Sequence, residues 1–306
     1  MANAREIRNR IKSIEDTKKI TSAMYMISTT KLRKTRRDLE QTRPYFDNLK
    51  REMSLIFDRV PKLHHRYVQR DDRDKTTDIN IGCLVVTSDR GLAGAYNHNI
   101  LKLVGDYLTA QQYLARNVKM TLYVAGEYGR QYLMKRGAHV DPEFLFSARD
   151  PNVGRARDIG SYLLKRFDEG EIDEIHIIYT DMHRAGSTEV IEHQLLPIDP
   201  DFFTGNLEDE MTGEEKEFFP SVESVLEALV PSYVTGYVYS ALVESFCSEQ
   251  SARMMAMDAA GRNADEMLDK LSMQYNRVRQ AAITQEITEV AAGAKGLRDK
   301  ARGSAE

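Results

Sequence analysis

PSYVTGYVYSALVESFCSEQSARMMAMDAAGRNADEMLDKLSMQYNRVRQAAITQEITEVAAGAKGL, residues 231–297, decides the fold. It has no proline after Pro231, and its apolar or small residues recur at steps of three and four. Val234, Val238, Ala241, Ser245, Ala252, Ala256, Ala259, Met267, Leu271, Tyr275, Val278 and Ala282 fit a helix and not an alternating strand. At 1.5 Å per residue such a helix is roughly 100 Å long, more than a single globule can bury. Another element must cover it.

The other end of the chain offers that cover. From Asn3, an N-cap with Glu6 three residues on, a second helical pattern runs through Ile7, Ile11, Ile14, Ile20, Met24, Ile27, Leu32, Leu39, Leu49, Met53 and Ile56 to Pro61. The expected arrangement is a long antiparallel two-helix coiled coil built from the two termini. Residues 1–60 and 231–306 would form it, with a central α/β module at 61–230. Lys18, Thr21 and Ser28 fall where a strict heptad from Ile7 wants apolar side chains, so the pair should be loosely wound. Pro44 should kink the first helix. Residues 220–230 read as a short helix broken at Pro231, which would open the next one.

Between the long helices the pattern changes. IGCLVV (81–86) is a buried strand, followed by the turn SDRGLAGAYN (88–97) and a helix through Ile100, Leu101, Val104 and Leu108. Residues 120–125 and 174–182 read as further strands, 127–136 and 154–168 as helices, and TEVIEHQLLPI (188–198) as a strand pairing at the sheet edge. That alternation predicts a mostly parallel sheet with helices on both faces.

Composition narrows the class. With 306 residues, 42% apolar and 29% charged, the chain is an ordinary globular protein of about two domains. No stretch approaches the eighteen or so apolar residues that span a membrane, and MANAREIRNR lacks the apolar core of a signal peptide. Cys83 and Cys247 are far apart in apolar surroundings and read as buried, reduced thiols. Net charge is only −4, yet residues 5–37 hold eleven Lys or Arg against three acids at 6, 15 and 16. That excess suits an anionic partner: acidic protein loops, an anionic membrane or, least well for want of interleaved aromatics, nucleic acid. A plain solvated helix face remains the bland alternative.

Catalytic patterns are missing. The turn at 88–97 has only Gly91 and Gly94, so neither the dinucleotide fingerprint nor the Walker pattern is present. There is no GxSxG or HExxH, and His176, Asp181, His183 and His193 have no nucleophile nearby in sequence. His64 and His65 beside Asp71 and Asp72 lack ordinary metal-site spacing, and a metal at Asp181 and His183 is a weaker reading than an exposed turn, DMHRAGS. Residues 199–217 form an acidic loop. Residues 281–294 carry only Glu286 and Glu289 as charges, with small or β-branched residues on every face, so this part of the helix should be surrounded.

Four segments carry a family resemblance: IRNRIKSIEDTKKITSAMYMISTTKLRK (7–34), TSDRGLAGAYN (87–97), SEQSARMMAMDAAGRNADEM (248–267) and QYNRVRQAAITQEITEVAAGA (274–294). In order and spacing the chain resembles the gamma subunit of F-type ATP synthase. That resemblance implies a non-catalytic rotor shaft without cofactor or metal, held in a ring of alpha and beta subunits. Its foot would meet the epsilon subunit and the c-subunit ring, peripheral to the cytoplasmic face of a bacterial plasma membrane. It further implies that Met24, Lys31, Arg33 and Arg253 lie beside beta-subunit loops, and that Gln280, Thr284 and Thr288 are polar contacts near the catch. Asp89 and Arg90 would be surface contacts of the foot, and charge reversal at Arg253 would weaken coupling with little loss of folding. Thr29, Thr30, Ala95 and the extension GLRDKARGSAE depart from the family pattern. Two rivals are a nucleotide-dependent α/β enzyme with a coiled-coil arm and a coiled-coil scaffold.

Overall fold

In the computed structural model the described residues are 4–60, 63–68, 78–112, 117–182, 187–203 and 218–303. The chain divides into two compact units, Met1–Ile27 with Met255–Glu306, and Ser28–Met254. Two helices contribute to both: α1 (Ala4–Arg59) and α5 (Val222–Gly303), of 56 and 82 residues.

In the first unit the least exposed positions of α1 include Ile7, Ile11, Ile14, Lys18 and Thr21, an alternation of steps of four and three, with Met24 a further three residues on. Lys18 and Thr21 do not interrupt it. The Thr21 hydroxyl donates to the Lys18 carbonyl at 2.9 Å, which satisfies it locally, and the Lys18 amine reaches Asp265. Arg8 likewise donates to the Tyr275 hydroxyl and lies 5.4 Å from the centre of that ring. The α5 residues of lowest exposure here, Met257, Ala264, Leu268, Leu271, Tyr275 and Val278, keep the same seven-residue repeat. Beyond Val278 every residue of 279–294 is exposed.

The second unit is built on a four-stranded sheet. Its elements are β1 (Ile79–Val86), α2 (Tyr96–Gln112), β2 (Val118–Ala125), α3 (Glu127–Lys135), α4 (Val153–Asp168), β3 (Glu174–Met182) and β4 (Thr188–Leu196). A short 3-10 turn at Pro200–Phe202 precedes α5. Strand order is β2-β1-β3-β4, with β1 parallel to both neighbours and β4 antiparallel at the edge beside β3. The sheet is therefore mixed, and β4 lies at its edge, as read for 188–198. Successive residues point to opposite faces, and both faces are covered. Leu84, Val86, Tyr123, Ala125, Ile175 and Ile177 join a core with α1, α4 and α5, while Cys83, Val85, Leu122, Val124 and Ile178 join one with α2 and α3. Both cysteines are buried and unbridged. Helix α4 starts where Asn152 caps it, its side chain accepting from the Arg155 amide at 2.9 Å.

One expectation about prolines changes. Pro44 lies inside α1, as read, but residues 220–230 are no separate helix, because α5 starts at Val222 and passes through Pro231. A proline inside a helix costs about 3 kcal/mol. Leu226, Val230, Tyr233 and Val234 are all almost fully buried around Pro231, and burying each is worth about 1.5 to 3 kcal/mol. Burial outweighs the lost backbone bond. A few residues on, Gly236 lets α1 and α5 come close: a Cβ there would stand 2.3 Å from the Phe46 ring.

Candidate functional site

The turn that follows β1 is closed by its own side chains. The Ser88 amide donates to Asn97 Oδ1 at 3.0 Å, Asn97 Nδ2 donates to Ser88 Oγ at 2.7 Å, and Ser88 Oγ donates to the Arg90 carbonyl at 2.6 Å. Leu92 takes a left-handed backbone (φ 62) and stays 66% exposed, so its side chain does not compensate the strain. Asp89 points the other way. Its carboxylate accepts from the Glu127 amide in the first turn of α3 at 3.1 Å and faces Arg149 Nε at 3.3 Å, a position the helix dipole favours.

Helix α5 clamps this turn. Arg253 donates to the carbonyls of Arg90 and Gly91 at 3.3 and 3.2 Å and pairs with Glu249, one helical turn earlier, at 2.6 Å. The two side chains are only 10% and 7% exposed. Burial pushes the Glu249 carboxyl above its usual range, against the pull of Arg253. Two turns before Arg253, Ser245 accepts from the Thr180 amide of β3 at 3.1 Å. On α1, Lys31 lies 5.7 Å from the centre of the Phe246 ring and 3.6 Å from Asp150. Lys31, Asp89, Arg90 and Arg253, read separately from the sequence, thus share one polar cluster. Glu249 was missed, although its spacing of four from Arg253 is the signal that could have found it.

That geometry revises Arg253. Its guanidinium is engaged inside the chain, so reversing its charge would set an acid against a buried Glu249 and cost folding. The nucleotide-enzyme rival also loses its crevice. Ligands of open parallel sheets bind outside the carboxyl ends of neighbouring strands where the order reverses, here β1 and β3. Ser245, Glu249 and Arg253 fill that position.

Other candidates are dispersed. His193 stacks on Tyr237 with ring centres 4.7 Å apart, and Asp181 hydrogen-bonds Glu244. Asp71, Asp72 and His183 lie outside the described residues, as do Asn3 and most of the acidic loop. Among the described residues no group of three His, Cys, Asp or Glu is placed to hold a metal ion, and no helix is long and apolar enough to cross a membrane.

The end of α5 has a different character. Gln280, Thr284 and Thr288 line one side, and each hydroxyl is already used: Thr284 donates to the Gln280 carbonyl at 2.9 Å and Thr288 to that of Thr284 at 2.8 Å. Beside them Ile283, Ile287 and Val290 are 42%, 64% and 73% exposed. Met24 is half-buried on α1, next to exposed Met26 and Ile27, and Arg33 is exposed. Contiguous apolar surface of this kind marks an interaction face.

Comparison with known proteins agrees with the architecture. A family model described as ATP synthase matches residues 3–297. The ATP synthase gamma chain of Caldanaerobacter subterraneus subsp. tengcongensis is 41% identical, over 95% of this chain and 98% of the relative. That of Ruminiclostridium cellulolyticum is also 41% identical, over 96% and 99%. A gamma chain from Acetobacterium woodii described as sodium ion specific is 34% identical over 96% and 99%. Among solved structures, a chain of the Euglena gracilis mitochondrial ATP synthase assembly of OSCP, F1 and c-ring aligns with a TM-score of 0.61 at 18% identity, covering 96% of this chain and 94% of the other.

Proposed function

The chain belongs to the ATP synthase gamma chain family, a non-catalytic subunit of that complex, and from this premise we propose that it is the shaft coupling ion-driven rotation to the catalytic sites of its partners. The observation that carries the reading is the end of α5, where residues 281–294, with only Glu286 and Glu289 charged, are exposed on every side of the helix. In water such a surface is costly, so its cover comes from other chains.

In this reading residues 4–27 and 255–278 wind around each other as an antiparallel coiled coil, supported by the matched three-four stripes and by the links Arg8 to Tyr275 and Lys18 to Asp265. Functionally, residues 1–60 and 231–306 are the shaft and 61–230 the foot, with α1 and α5 both contributing to the foot's core. The tip turns inside a ring of alpha and beta subunits. The foot faces the epsilon subunit and the c-subunit ring, peripheral to the membrane on the cytoplasmic side of a bacterial cell.

The mechanism follows from asymmetry. A shaft that is not threefold symmetric cannot present the same face to three beta subunits at once, so each angle favours a different conformation at each site. Met24, Lys31 and Arg33 supply the basic and apolar face that acidic loops of the beta subunits would meet, and Gln280, Thr284 and Thr288 the polar contacts near the catch. Because both threonine hydroxyls bond to their own helix, contacts with the ring replace existing bonds. Each is then worth no more than about 1 kcal/mol net, too little to pin the shaft at one angle. Arg253 holds the foot's turn against α5 and positions that face from within.

The test is reconstitution. The purified chain mixed with alpha and beta subunits should give a stoichiometric complex with ATPase activity. Failure to assemble would overturn the proposal.

A further inference from the structure

On the sheet face that α2 covers, His176 of β3 stands between two carboxylates. Its Nδ1 is 2.6 Å from Glu192 Oε1 on β4, and its Nε2 is 3.1 Å from Glu174 Oε2 on its own strand. A neutral imidazole has one N–H and can donate to only one of them. With both carboxylates ionised, this arrangement needs both ring nitrogens protonated, and therefore a positive charge. Among the described residues, the other groups facing the ring supply none. Tyr107 of α2 lies 5.7 Å away ring to ring, and Cys83 of β1 is its partner in the sheet register. Burial drives the titration of both well above the physiological range, so they stay neutral. His193 of β4 titrates below its usual value, chiefly through burial and further through the charge of His176.

We infer that Glu174, His176 and Glu192 form a proton-held latch on edge strand β4, closed while His176 carries both ring protons and released when one is lost. The placement gives the latch something to hold. Among the described strands β4 pairs with β3 alone, and His176 opposes Gln194, so its bond to Glu192 runs diagonally and ties two registers together. Losing the proton leaves a ring lone pair facing a carboxylate at one of the two contacts, which loosens β4 before the central strands.

The direction with pH follows. Burial alone would lower the His176 pKa, but hydrogen bonds to Glu174 and Glu192 and their charges outweigh it, leaving it above the ordinary 6.5. A group whose folded pKa is raised contributes fully below its unfolded value and loses that contribution as pH rises through the folded value. While both carboxylates are ionised, the latch is therefore closed below the His176 midpoint, which lies above 6.5, and opens as pH rises through it.

Two readouts on the full chain test this. Ring-nitrogen NMR of histidine-labelled protein, with His176 assigned from His176→Gln, should show a midpoint above 6.5 with both nitrogens protonated below it. Glu192→Gln should lower that midpoint by about one unit. Amide exchange, corrected for its intrinsic pH dependence, should show 188–196 losing protection relative to 118–125 between about pH 6 and about pH 9, roughly tenfold per unit of raised pKa. His176→Gln should abolish that loss. A His176 midpoint at or below 6.5, or the same exchange response in His176→Gln and wild type, would overturn the latch. Should His176→Gln not fold, the wild-type and Glu192→Gln titrations decide alone.

Discussion

Two stretches of α5, similar in their supply of small and apolar residues, meet opposite fates. From Tyr233 to Gln250 nearly every side chain is buried or half-buried against α1 and the sheet, whereas from 279 to 294 every residue is exposed. Neither helix propensity nor hydropathy separates them. The difference lies in what surrounds each stretch: the first has its cover within the chain, and the second must find it in other subunits. A helix whose apolar residues occupy all its faces is read correctly as buried, but sequence does not say by whom.

The contrast can be broken by substitutions whose costs should fall in a set order. Arg253→Glu comes first. It removes the partner of a buried carboxylate and places a second acid beside it, and breaking a buried pair costs about 3 to 5 kcal/mol. The denaturant midpoint of the isolated chain should drop accordingly. An unchanged midpoint would mean that the clamp at 88–91 contributes little.

Glu244→Gln should come next, and its sign depends on pH. Burial first, then the hydrogen bond and charge of Asp181, push the Glu244 carboxyl up to about 8, with Lys50 and Arg43 opposing. The folded chain keeps a proton that the unfolded chain releases, so stability falls as pH rises from about 4.5 through about 8. The neutral amide should flatten this slope and stabilise the chain by about 1 to 3 kcal/mol above that range, with the gap closing in acid. Identical unfolding profiles across pH would reject a shared proton between Asp181 and Glu244.

Ile287→Ala should have the smallest effect on the isolated chain, within about 0.5 kcal/mol, since its side chain is 64% exposed. Its cost should appear on assembly with alpha and beta subunits, as weaker binding or lower ATPase activity. A large loss of stability in the isolated chain would show that this stretch has internal cover after all.

Much of the fold was legible. Pro61 marked the end of α1 to within two residues, 174–182 was read with both strand boundaries correct, and 188–198 was read as an edge strand, though not as one that runs antiparallel. Where reading failed, a longer-range term had intervened. Pro231 looked like a boundary because propensity is local, while the burial that carries α5 through it comes from α1 and the sheet. Lys18 and Thr21 looked like flaws in the stripe because their side chains are polar, yet one reaches Asp265 and the other bonds its own helix. The site was legible only in pieces: Asp89, Arg90 and Arg253 were noticed, but periodicity does not disclose that an arginine finds backbone carbonyls more than 160 residues away.

The bare backbone at Gly236 has one further consequence. With the Phe46 ring seated where a side chain would otherwise project, α1 and α5 are joined like a key in its slot. Neither helix can slide lengthwise past the other without lifting that ring out, so a twisting load applied to one is delivered to both.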